Sequence, residues 1–182
     1  DNFEAYLEAN GMGNGIPNDD YVTTANINTV TNLSLHYVTN NNVWGYNISD
    51  LTGIEDFIAL THLELDADVD ENQLTGLDVS QNTALAELNC NRTQLTSLDV
   101  SGATALTYLE CSRNQLTSLD VSNNTALAEL NCGSNQLTTL DVSNNTALTI
   151  LNCYFNQLTS LDVRNGDNSN MQYLNVYNNL NL

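Results

Sequence analysis

From Leu74 to Val163 the chain sets out apolar and polar positions in short, recurring phrases. One phrase reads L-x-x-L-x-C-x-x-N-x, as from Leu127 to Gln136. The other reads L-T-x-L-D-V-S-x-N-T-A, as from Leu116 to Ala126. In each, outward residues alternate with inward Leu, Leu and either Cys or Val, the period-two pattern of a strand. Together they make a 21-residue unit, nested as 10 plus 11. Cys90, Cys111, Cys132 and Cys153 keep that interval, and so do Asp78, Asp99, Asp120, Asp141 and Asp162. A fixed period of about 20–29 residues predicts a solenoid. The expected architecture has two short parallel strands per repeat, joined by Asn-bearing turns, with coils about 4.8 Å apart. No single coil can bury its apolar face, so the stacking itself makes the core.

The stretch "LAELNCGSNQL" (Leu127 to Leu137) fits L-x-x-L-x-L-x-x-N-x-L, with Cys132 in the last apolar slot. In this the chain resembles the bacterial leucine-rich repeat family. The nested phrase with "LDVS" is similar to its irregular 21-residue subclass. Upstream, "ISDLTGIEDFIALTHLEL" (Ile48 to Leu65) resembles an internalin-type repeat. The resemblance implies a right-handed coil and a secreted or cell-surface bacterial protein. It also implies a binding role toward a protein or a glycan. Fold alone does not name the ligand.

The ends and interruptions divide the chain. "DNFEAYLEANG" (Asp1 to Gly11) places Phe3, Tyr6 and Leu7 on one helical face, with Asp1 or Asn2 as N-cap and Gly11 as the stop. A short helix capping the first coil is expected, followed by a loop, over residues 1–24. Residues 25–73 read as irregular first repeats, 74–163 as regular repeats, and 164–182 as a last irregular repeat. "NVYNNLNL" stops in mid-phrase, and the chain begins at Asp1 without Met. A trimmed or mature chain is expected, with native sequence continuing past Leu182. Two insertions leave the same half-coil. "LHYVTNNNVWGYNI" (Leu35 to Ile48) carries Tyr37, Trp44 and Tyr46; "LDADVDEN" (Leu65 to Asn72) carries Asp66, Asp68, Asp70 and Glu71. They are expected side by side, one aromatic and one acidic. A two-residue insertion lies between Arg164 and Met171.

Charge narrows the partners. Against 22 acidic residues stand 3 cations, Arg92, Arg113 and Arg164, for a net charge of −19. Such a surface repels nucleic acid and anionic lipid headgroups, and no stretch approaches the roughly 20 apolar residues of a membrane span. No nucleic-acid partner and no membrane insertion are expected, and a monomer is. Four cysteines could make two disulfides. Standing in one inward column, they read instead as buried free thiols acting as small hydrophobes. They lack the Cys-x-x-Cys or His spacing of a metal cluster.

Repeats permit a comparison inside one chain. The D-V-S half hardly changes: Thr96, Thr117, Thr138 and Thr159 share a column, and the aspartates another. The Cys half varies outward. One column reads His62, Glu87, Tyr108, Glu129, Ile150, Tyr173; the next two read Asn91, Ser112, Gly133, Tyr154, Tyr177 and Arg92, Arg113, Ser134, Phe155, Asn178. Candidate ligand-binding residues are therefore Tyr108, Ile150, Tyr154, Phe155, Tyr173 and Tyr177, with Tyr37, Trp44 and Tyr46 from the first insertion. Grouped exposed aromatics either bind a partner or cover an open C-terminal end. Arg92 and Arg113 read as surface ion-pair partners of Glu87 and Glu110.

Five aspartates about 5 Å apart would repel by about 0.8 kcal/mol per neighbouring pair even in water. Hydrogen bonds from turn N–H groups and the Ser and Thr columns offset that, or Ca²⁺ does. Asp66, Asp68, Asp70 and Glu71 form a candidate calcium site or a solvated acidic loop. Glu71 occupies the position where an EF-hand requires Gly, which excludes that motif. No other cofactor is expected. A carbohydrate-active enzyme is the main alternative, with carboxylates as acid and base. Yet the carboxylates recur in register, as scaffold does, and the cysteines face inward. His36 and His62, near Asp66 and Asp68, are the remaining acid–base or metal candidates. A Ca²⁺-dependent adhesion module and ice or mineral binding by the Thr columns are further alternatives; the central aspartates speak against ice. The expected protein is non-catalytic.

Overall fold

The computed structural model describes residues 2–16, 24–35, 48–65, 74–164 and 170–182. The period-two phrases become strands of three residues each, because the turns of every coil take up the remainder. The Cys halves and their upstream counterparts supply β1 (Asn32–Ser34), β2 (His62–Glu64), β4 (Glu87–Asn89), β6 (Tyr108–Glu110), β7 (Glu129–Asn131), β9 (Ile150–Asn152) and β11 (Tyr173–Asn175). They form one parallel seven-stranded sheet in the order β1-β2-β4-β6-β7-β9-β11. The register is the one the repeat demands: Leu63, Leu88, Leu109, Leu130, Leu151 and Leu174 face one another strand by strand.

The D-V-S halves supply β3 (Gly76–Asp78), β5 (Ser97–Asp99), β8 (Thr139–Asp141) and β10 (Ser160–Asp162). They make only two separate pairs, β3 with β5 and β8 with β10. Ser118–Asp120, which the sequence places in the same ladder, carries no strand. The solenoid thus has one continuous face and one interrupted face.

The core runs as a column between them. Leu88, Leu109, Leu130 and Leu151 are fully buried, as are Val121, Val142 and the four cysteines. A buried leucine stabilises by about 1.5–3 kcal/mol over an exposed one. The cysteines are free thiols. Burial pushes each thiol pKa up, for Cys153 to about 11. They pack as hydrophobes and stay protonated.

Buried asparagines tie the coils together. Asn114 Nδ2 donates to the carbonyls of Cys90 (2.8 Å) and Cys111 (3.0 Å), while its Oδ1 accepts from Leu95 N–H at 2.9 Å. Asn135 and Asn156 repeat the pattern one coil on. Thr93 holds the equivalent place in the preceding coil, its hydroxyl donating to Cys90 O at 2.8 Å.

Helix α1 (Asn2–Ala9) covers the first coil, with Phe3 and Leu7 buried and the Phe3 ring 6.2 Å from that of Phe57. The Tyr6 hydroxyl donates to Ser34 O. Gly11 ends it at φ 72°, a conformation that glycine adopts without penalty. A four-residue helix, α2 (Thr24–Ile27), precedes β1.

Candidate functional site

The outward side of the seven-stranded sheet brings the variable columns into one surface. In-register pairing sets His62 beside Glu87, Glu87 beside Tyr108, Tyr108 beside Glu129, Glu129 beside Ile150, and Ile150 beside Tyr173. Two residues further along each strand lies a second outward column: Glu64, Asn89, Glu110, Asn131, Asn152 and Asn175. This column carries a backbone duty. Its acceptors take the N–H two residues on: Asn89 from Asn91, Glu110 from Ser112, Asn131 from Gly133, Asn175 from Tyr177. The first column carries no such duty, which is why its residue types roam.

The surface changes character along the solenoid. Toward β2, β4, β6 and β7 it is acidic, with Tyr108 half-buried among Glu64, Glu87, Glu110 and Glu129. Burial first, and then those four carboxylates, raise the Tyr108 phenol pKa. His62 Nδ1 is 2.8 Å from the Thr61 hydroxyl, and its Nε2 is 3.4 Å from Glu87 Oε1. Toward β9 and β11 the surface is aromatic. Phe155 stands edge-on to Tyr154 (5.9 Å) and to Tyr177 (5.6 Å), distances at which aromatic pairs attract. Phe155, Tyr173 and Tyr177 are exposed at 50%, 51% and 67%. Leu174 is 45% exposed because β11 is the edge strand, although its column is buried in every inner coil.

Two features of this surface escape the sequence reading. The column Arg92, Arg113, Ser134, Phe155 and Asn178 adopts φ from 49° to 59°, the left-handed region. Each of the first four donates its N–H to a carbonyl of the next coil, so stacking holds the turn there. Only Asn178 is a residue type that visits this region readily. The second feature is Gly133. A Cβ on it would lie 2.4 Å from the Tyr154 ring, so the glycine makes the bed on which that ring lies. The run Asn, Ser, Gly, Tyr, Tyr in this column carried that signal.

The candidate residues fall into three sets. Tyr154, Phe155 and Tyr177 form one aromatic group, with Ile150 and Tyr173 on adjoining strands. Tyr108 is apart from them, in the acidic half. Tyr37, Trp44 and Tyr46 lie outside the described residues, and so do Asp66, Asp68, Asp70, Glu71 and His36. Among the described residues, no group of three or more His, Cys, Asp or Glu side chains could hold a metal ion. The expected ion pairs of Arg92 and Arg113 with Glu87 and Glu110 are corrected. Among the described residues Arg164 pairs with Asp162 and the His62 ring contacts Glu87, and neither Arg92 nor Arg113 takes part in such a pair. A left-handed turn beyond the strand holds the backbone of both arginines.

On the opposite face the aspartates neutralise their own turns. Ser80, Ser101, Ser122, Ser143 and Arg164 donate backbone N–H groups to Asp78, Asp99, Asp120, Asp141 and Asp162 at 2.8–3.0 Å. Hydrogen bonds from the Ser101 and Ser122 side chains, then from their N–H groups, hold Asp99 and Asp120 below the ordinary carboxylate range. Arg164 pulls Asp162 to about 2. A groove of about 400 Å³ on this side is lined by Asp50, Glu55, Asp78 and Asp99. Each of these four accepts from its own turn.

No protein-family profile and no curated protein matches this chain. Solved structures do. A functional domain of InlJ from Listeria monocytogenes, described as including a cysteine ladder, is 44% identical with a TM-score of 0.66. The match covers 78% of this chain and 29% of that one. An internalin, InlF, from Listeria monocytogenes strain 4b F2365 is 27% identical with a TM-score of 0.58, covering 84% of this chain and 43% of that one. The chain therefore spans under a third of the first and under half of the second. No helix among the described residues is long and apolar enough to cross a membrane. Parallel coils in register, built on a column of cysteines of the kind a solved internalin domain also carries, place this chain among the leucine-rich repeat proteins.

Proposed function

We propose that this chain is a non-catalytic binding module of a secreted or cell-surface bacterial protein, which grips a protein partner through the outward face of its seven-stranded sheet. One observation carries the reading. Residue types change freely in the column His62, Glu87, Tyr108, Glu129, Ile150, Tyr173 and narrow to Asp, Asn or Glu in the columns whose side chains accept from the backbone. Side chains released from structural duty and grouped on one face are what recognition uses. The exposed Phe155, Tyr173 and Tyr177 supply the large, rigid contact area that interface anchors require.

Site-specific photo-crosslinking tests it. A benzoylphenylalanine placed at Tyr173, and separately at Ser118 on the opposite face, is irradiated with a mixture of extracellular proteins. Protein adducts from position 173 and not from 118 are expected. Equal adducts from both would overturn the reading, as would none from either while a glycan array retains the module.

A further inference from the structure

We infer that the partner presents an arginine-bearing segment laid across the strands, its guanidinium over Tyr108 and an apolar residue beyond it against Ile150 and Tyr173. The inference rests on the binding reading above and names the chemistry of its partner. Tyr108 is an aromatic ring with Glu87 and Glu129 directly beside it on the neighbouring strands and Glu110 two residues along its own. A planar guanidinium can stack on such a ring while forking to a carboxylate, which a lysine ammonium does less well. Within the module Glu87 meets His62 Nε2 at 3.4 Å, and Glu110 accepts from Ser112 N–H and Asn131 Nδ2. Among the described residues neither Arg92 nor Arg113 pairs with the three glutamates, so no guanidinium of the module occupies the place beside Tyr108. The net charge of −19 adds a long-range field that draws a basic segment in.

Geometry sets the spacing. Tyr108 on β6 and Tyr173 on β11 are three strand steps apart, through β7 and β9. At about 4.8 Å per step that is about 14 Å, or about four residues of extended chain at roughly 3.3 Å each. Ile150 and Tyr173 sit side by side at the end of that path, with the aromatic group of Tyr154, Phe155 and Tyr177 at its rim.

Fluorescence anisotropy with synthetic nine-residue peptides tests it on the intact chain. Each peptide carries one Arg and one Leu at separations from one to seven positions. Affinity is expected to peak near a separation of four and to weaken when Arg becomes Lys. It is also expected to fall about tenfold in a Glu87→Gln, Glu129→Gln variant and to fall as salt rises. Both substitutions are on outward side chains, and an unchanged melting temperature verifies the fold. Tyr173→Ala checks the apolar end separately, with loss expected for every peptide. Affinity that ignores the spacing, or that survives the charge substitutions, would overturn the inference. If crosslinks still form at position 173 in that case, the binding reading stands and only the basic partner falls. If no crosslinks form, both fall.

Discussion

The two faces of the solenoid are written in nearly the same phrase, yet one is monotonous and the other is not. On the D-V-S face the outward aspartate closes its own turn in every regular coil. On the Cys face the equivalent duty falls to Asn89, Glu110, Asn131 and Asn175, and the column two residues earlier is left free. A position that must accept a hydrogen bond has few residue types open to it. A position that need only point outward has nearly all of them. Both faces therefore carry the same duty in the same register, and they part in the column two residues earlier: small on the D-V-S face, at Gly76, Ser97, Ser118, Thr139 and Ser160, and varied from His62 to Tyr173 on the Cys face.

The sharpest way to break the comparison is to attack what both faces share. Replacing Asn135 by Ala would strand the Leu116 N–H and take a donor from the Cys111 and Cys132 carbonyls. Asn114 and Asn156 still donate to those two carbonyls, so Leu116 N–H is the group left unmet. At about 1–3 kcal/mol for it and about 0.5–1.5 kcal/mol for each of the two other lost hydrogen bonds, a loss of about 2–5 kcal/mol is expected in urea denaturation. A loss below about 1 kcal/mol would mean that the asparagine column does not tie the coils.

A pair of glycines separates the faces at smaller scale. A Cβ at Gly102 would lie 1.7 Å from the Ser80 carbonyl oxygen, which is backbone and cannot swing aside. Gly102→Ala is expected to cost about 1–3 kcal/mol by forcing two coils apart. Gly133→Ala meets only the Tyr154 ring, which can turn away. Its expected cost is under about 1 kcal/mol, with a changed near-ultraviolet tyrosine signal and weaker capture of the partner. Equal costs for the two variants would contradict the distinction.

The smallest effect belongs to the aspartate column. Asp120→Ala is expected to cost about 0.5–1 kcal/mol at pH 7, because water screens this exposed carboxylate. The folded pKa of Asp120 is lowered from its ordinary 3.8. Its contribution is therefore present above the ordinary value and lost as pH falls through the lowered one. The gap between native chain and variant should hold steady from pH 7 to 5 and close in strong acid. A gap that widened in acid would mean that the carboxylate does not cap its turn.

Much of this protein follows from the sequence alone, for a physical reason. A repeated phrase imposes the same local geometry at every turn, so period, strand alternation, inward cysteines and the capping helix can be read from neighbours a few residues apart. The variable columns are legible for the same reason, since each coil serves as the control for the next. What only the tertiary structure decided depends on contacts 20 residues or more away. It held Arg92, Arg113, Ser134 and Phe155 in left-handed turns through hydrogen bonds to the following coil. It interrupted the second ladder at Ser118–Asp120. It laid Tyr154 on Gly133, and it set Tyr108 among glutamates rather than with the other aromatics. The left-handed turns and the bed under Tyr154 have no local cause, because each is set by the neighbouring coil.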